Sequence, residues 1–138
     1  MIIYSGPAIR NCHIIRHFHG KGSLYFCHRM WLAFDDKNAG CIYTGDADLT
    51  AIDICSIFTK YWENIGTIQI PHHGDRDSFD ELLLKKQRHF ILPISYGTKN
   101  TYGHPSNQLT TSIVENDSTP VFINENADSI YIQTLKYA

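Results

Sequence analysis

Three phrases decide how this chain is read: Tyr43-Thr44-Gly45-Asp46, then Ile70-Pro71-His72-His73-Gly74, then Tyr102-Gly103-His104-Pro105. Each puts a carboxylate or an imidazole where an apolar run of strand length passes into a turn. Those side chains bind divalent metals and move protons near neutral pH. Residues 41–44, 67–70 and 90–95 are the runs that precede them, and all three read as strands. Pro93 inside the last suggests an edge or a bulge, because proline cannot donate to a sheet ladder.

Outward from these phrases the chain alternates between strand and helix patterns. Residues 23–27 and 31–34 read as strands. Between 49 and 62 the apolar Ala51, Cys55, Phe58 and Trp62 recur at helical spacing. Ser78-Phe79-Asp80-Glu81 has the form of a capping box and predicts a helix to about Gln87. Pro105 suits the first turn of a third helix, with Leu109 and Ile113 on its inner face. Residues 120–123 and 129–134 predict a closing hairpin around Asn124. This alternation implies an α/β layer structure with a mixed sheet and about three helices. The three phrases then share the C-terminal edge of the strands, where open α/β sheets bind ligands.

Composition narrows the classes. A chain of 138 residues with 43% hydrophobic and 19% charged residues is a single globular domain, or a large part of one. A net charge of −2 gives no global attraction for nucleic acid. No run reaches the roughly 20 apolar residues that cross a bilayer. The first residues lack the basic and apolar regions of a signal peptide. The expected location is therefore cytoplasmic. The four cysteines show no C-x-x-C spacing, and Cys27, Cys41 and Cys55 lie in apolar segments, which favours reduced, buried thiols.

Each phrase has an ordinary reading beside its chemical one. Asp46 can bind a metal, with Gly45 permitting close approach, or can simply cap a turn. Asp48 competes for the capping role and frees Asp46. His72 and His73 leave a strand as neighbours and so point in different directions. One can face a metal while the other faces a substrate oxygen. His104 opens a helix, whose N-terminus favours anions, so it could bind phosphate or shuttle a proton. It could equally be a plain loop histidine.

Taken together and in this order, the phrases resemble the C-terminal half of a metallo-β-lactamase-fold hydrolase. The resemblance is to the branch that holds the metallo-hydrolase domain of ComEC-type competence proteins and related phosphocholine esterases. It extends through Ser95-Tyr96-Gly97-Thr98-Lys99-Asn100-Thr101-Tyr102-Gly103-His104-Pro105 and covers about residues 23–135. It implies half of an αββα sandwich and a hydrolase of phosphodiesters or other esters with two zinc ions in the complete site. It implies that Asp46 bridges the metals and that His73 binds one of them. His72 would contact the scissile group, and His104 would be a substrate contact or proton donor. Asn100 and Tyr102 would shape their loop.

The chain departs from that pattern in its first part. The family's His-x-His-x-Asp-His loop is absent: His17-Phe18-His19 is followed by Gly20-Lys21-Gly22. His28 could stand in for one missing histidine. Two ligands do not make a site. A non-catalytic interaction module that keeps the half-fold is the alternative. A half-sandwich also leaves one sheet face to be covered. That predicts a homodimer, a partner supplying the N-terminal half, or cover from the chain's own first 22 residues.

Overall fold

A computed structural model describes residues 1–6, 12–19, 30–32, 38–86, 88–127 and 129–137. In chain order its strands are β1 (Ile3–Ser5), β2 (Cys12–His19), β3 (Met30–Leu32), β4 (Gly40–Tyr43), β5 (Ile65–Ile68), β6 (Ile91–Ser95), β7 (Thr119–Ile123) and β8 (Ile130–Tyr137). Its helices are α1 (Ile54–Ile57) and α2 (Asn107–Glu115). The main sheet has the order β1-β4-β5-β6-β7, and a second, three-stranded sheet has the order β3-β2-β8. Strands β4 to β7 run parallel, and β1 pairs antiparallel with β4. This is a mixed sheet with helices, an α/β architecture.

Alternation along the strands divides the main sheet's two faces. One face carries Ile42, Ile68, Leu92 and Ile94, packed against Leu49, Ile54, Phe79, Leu84, Leu109 and Ile113 of the helical layer. α2 brings Leu109 and Ile113 to that core because they are four residues apart and lie on one helix face. Ser106 caps its start, accepting from the Leu109 amide at 3.5 Å. Its end is a left-handed closure: Asp117 has φ 56°, the Ser118 amide reaches the Ile113 carbonyl, and the Asp117 amide reaches Val114.

The opposite face carries Cys41, Thr67, Ile91 and Val121. All four are buried, Ile91 and Val121 to 1% exposure. Part of the cover comes from β8. The Thr67 hydroxyl donates to Gln133 Oε1 at 2.9 Å, Tyr131 donates to the same oxygen at 3.1 Å, and Gln133 Nε2 donates to the Ala39 carbonyl at 2.7 Å. The face expected to need a partner is thus closed at these positions within one chain. Its polar contacts are satisfied side chain by side chain.

Several elements differ from the sequence pattern. The helix expected over 49–62 is only the single turn α1. Asp53 starts it late by accepting from the Cys55 and Ser56 amides. Thr59 ends it by turning its hydroxyl onto the carbonyls of Cys55 and Ser56. The capping box at Ser78 does not form. Ser78 donates to Asp75 at 2.7 Å, and Glu81 is drawn to Arg76 and to Ser112 of α2. Two short 3₁₀ turns, Arg76–Ser78 and Glu81–Leu83, replace the helix.

The strand with Pro93 is interior, not an edge. The Pro93 carbonyl accepts from Ile70, so its missing N–H lies on the β5 side, where the pairing narrows. β7 and β8 do not form a hairpin. β8 crosses to the second sheet and pairs with β2 along its whole length. The strand expected at 31–34 overlaps β3. The one expected at 23–27 lies outside the described residues, as do Cys27 and His28. Neither Cys41 nor Cys55 forms a disulfide. Among the described residues no helix is long and apolar enough to cross a membrane.

Candidate active-site edge

Because β4, β5 and β6 are parallel, the loops that follow them meet at one edge of the sheet. Three hydrogen bonds lace these loops together. The His72 amide donates to the Gly45 carbonyl at 3.3 Å, and the Ser106 amide donates to the Gly74 carbonyl at 2.9 Å. The His73 ring nitrogen Nδ1 lies 2.8 Å from the Ser95 carbonyl. Asp46, His72, His73 and His104, singled out from sequence, are all carried by these loops.

The first loop is built for its turn. Thr44 is buried and donates its hydroxyl to the Gln69 carbonyl at 2.9 Å. The Thr44 and Gly45 amides both donate to Gln69 Oε1. Gly45 has φ 56° with nothing near its Cα face. Asp48 takes the local turn, accepting from the Thr50 hydroxyl and amide, and these bonds hold its carboxyl below the ordinary range. Asp46 makes no hydrogen bond among the described residues. Its Oδ1 is 4.0 Å from His72 Nδ1, with side chains 75% and 43% exposed. That is an ion pair only when the ring is protonated, and so exposed a pair adds little stability.

The second loop is strained. His72 and His73 have φ 45° and 58°, followed by Gly74 at 91°. Consecutive left-handed histidines are unfavourable and persist only where surroundings enforce them. Pro105 is part of that enforcement: a methyl placed on Gly74 would fall 2.6 Å from Pro105 Cβ and 2.9 Å from Ile94. A carbonyl oxygen can only accept, so His73 donates from Nδ1 to Ser95. Its lone pair is thereby left on Nε2.

The third loop is pinned by Asn100. Its Nδ2 donates to the carbonyls of Gly97 and His104 at 2.6 and 2.7 Å, and its Oδ1 accepts from the His104 amide at 3.2 Å. The His104 ring stacks on Tyr102, centroids 6.4 Å apart and planes 17° apart. Its Nδ1 is buried without a hydrogen-bond partner among the described residues. Thr98 ties the same loop to Glu125 through its amide and hydroxyl.

Asp75 was missed from sequence. Ser78 donates to it, and that bond chiefly depresses its carboxyl. The Asp77 amide and the nearby His104 and His72 add to the effect. Its position directly after His-His-Gly was the available signal. His17 and His19 belong to β2, in the second sheet, and not to this edge. No family model, curated protein or solved structure matches this chain.

Zinc takes imidazole nitrogen and carboxylate oxygen. His73 is prepared for that role, since metal-bound histidines commonly donate their other ring N–H to a carbonyl. Asp46 has its oxygens uncommitted. Among the described residues, however, no group of three His, Cys, Asp or Glu side chains gathers to hold an ion.

Proposed function

We propose that this chain is the C-terminal half of a metal-dependent hydrolase of the metallo-β-lactamase superfamily, acting on a phosphodiester or another ester. The observation that carries the reading is the His73–Ser95 hydrogen bond at the sheet edge shared with Asp46. It fixes the tautomer a metal ligand needs. Asp46 and His73 are this chain's ligands, and a partner supplying the N-terminal half provides the others. Because Ile91 and Val121 on that face are already buried within the chain, such a partner supplies ligands more than hydrophobic cover. A divalent ion, when bound, supplies the Lewis acid for ester cleavage. His72, next to Asp46, steadies an oxygen of the scissile group. His104 serves as a substrate contact or proton donor.

The test is cleavage of a chromogenic phosphodiester by the purified chain with and without added Zn²⁺. The expected result is at most weak zinc-dependent turnover from this chain alone, lost in Asp46→Ala and in His73→Ala. Turnover untouched by both substitutions sinks the reading. A folded chain with no zinc-dependent turnover favours the non-catalytic module instead.

A further inference from the structure

The His104 ring has a feature that its place in the loop does not explain. Its Nδ1 is buried and has no partner among the described residues, where every bond that Asn100 makes goes to the main chain of Gly97 or His104. A neutral imidazole carries its proton on one nitrogen and a lone pair on the other. Orphaned buried N–H groups are rarer in proteins than under-satisfied acceptors. The unpartnered Nδ1 is therefore the lone-pair nitrogen, and the proton resides on Nε2.

We propose that Asn100 is a positioning residue that clamps the His104 main chain, so that the ring stacks on Tyr102, buries Nδ1 and stands as the Nε2–H tautomer. His104 is then a hydrogen-bond donor and not a base. Resting on the hydrolase reading, this makes it a hydrogen-bonding contact for a phosphoryl or ester oxygen and not the group that protonates the leaving oxygen. It cannot, in this state, take a proton from water through Nε2. Asn100 touches no substrate in this scheme. It acts through the geometry of His104, closing both ends of the 97–104 loop with one side-chain amide.

The tautomer can be read without any activity, so this inference and the hydrolase reading fail separately. The full chain, with ¹⁵N-labelled histidine, is placed at about pH 8, where an ordinary imidazole is neutral. Long-range ¹H–¹⁵N correlation then distinguishes the two tautomers of each ring. The expected result is an Nε2–H pattern for His104 in the wild type. In Asn100→Ala that pattern collapses to a tautomer average, while the signals of His89, at the far end of β6, stay in place. Asn100→Asp keeps the acceptor for the His104 amide but loses both donations, so an intermediate pattern is expected. An Nδ1–H or averaged pattern in the wild type overturns the proposal. An unchanged Nε2–H pattern in Asn100→Ala overturns the role of Asn100. If Asn100→Ala fails to fold, the wild-type spectrum and Asn100→Asp still decide.

Discussion

The His73 ring donates from Nδ1 to the Ser95 carbonyl across 2.8 Å, joining the loop after β5 to the last residue of β6. The acceptor is main chain on an interior strand, so the ring is aimed by the rigid part of the fold. Under the hydrolase proposal, its Nε2 is the nitrogen offered to a metal. Zinc added to the purified chain is expected to perturb His73 and Asp46 before the remote His89. His73→Ala and Asp46→Ala should each weaken that response by about tenfold or more. Calorimetric titration with Zn²⁺ checks this, and equal affinity in both variants and wild type contradicts it.

Two glycines at this edge make opposite demands. Gly74 combines φ 91° with Pro105 and Ile94 within 3 Å of any added methyl. Gly45 has φ 56° and open space. Gly74→Ala suffers both backbone strain and a clash, and is expected to cost roughly 2–4 kcal/mol. Gly45→Ala suffers only the backbone term, about 1 kcal/mol. Urea unfolding of the two variants separates them, and equal midpoints would mean that Pro105 yields freely.

His72 presents the same strain without the close packing. At φ 45° a side chain is disfavoured, and its contact with Asp46, at 4.0 Å, is well exposed. His72→Gly is therefore expected to be more stable than His72→Ala by about 1 kcal/mol. Both should lose substrate contact equally. Thermal melts of the pair, compared with their turnover, test whether strain at this turn is kept for function rather than for stability.

Much of this edge was legible because its signals are local. Asp46, His72, His73 and His104 each follow an apolar run, and the parallel sheet then collects them. The inner face of α2 was also readable from the spacing of Leu109 and Ile113. The failures were long-range. Ser78 and Glu81 have capping-box identity, but Asp75 and Ser112 compete for the same atoms. The local hairpin expected at 120–134 loses to eight residues of pairing between β8 and β2. Pro93 sits in an interior strand because only its β5 side lacks a donor. Asp75 is only three residues from Ser78, but Ser112 and β2 lie far along the chain from the residues they capture.

Asp75 couples the edge to pH. The Ser78 hydroxyl is the main cause of its lowered pKa, with His104 and His72 nearby. A carboxyl whose folded pKa lies below its unfolded value, near 3.9, contributes stability that is complete above about pH 5. That contribution is lost as pH falls through the folded value. Asp75→Asn removes it. The variant should be less stable than wild type at neutral pH, and the gap should narrow steadily as pH drops from about 5 toward 3. Denaturation midpoints across that range check the sign. A gap that widens with acid would place the depressed group elsewhere.

The strongest structural dependence is expected at Gln133. One amide accepts from Thr67 and Tyr131 and donates to the Ala39 carbonyl, spanning β8, β5 and the entry to β4. These groups lie between two sheets, where water cannot readily replace a lost partner. Gln133→Ala strands the Ala39 carbonyl and loosens the Thr67 and Tyr131 hydroxyls. Each buried polar group left unsatisfied costs about 1–3 kcal/mol, so a total loss of roughly 2–4 kcal/mol is expected. Gln133→Glu keeps the acceptor but removes the donor to Ala39 and adds a charge, so it should be no better. The second effect is on association. If β8 lifts from the sheet, Ile91 and Val121, each 1% exposed, meet water and form an apolar patch. Patches of that kind drive association or dye binding. Light scattering and a hydrophobic dye should therefore report a compact, dye-silent wild type and a dye-binding, concentration-dependent Gln133→Ala. A wild type that binds dye as strongly as the variant would show that β8 does not close this face in solution, and the dimer expected from the half-sandwich would return as the reading.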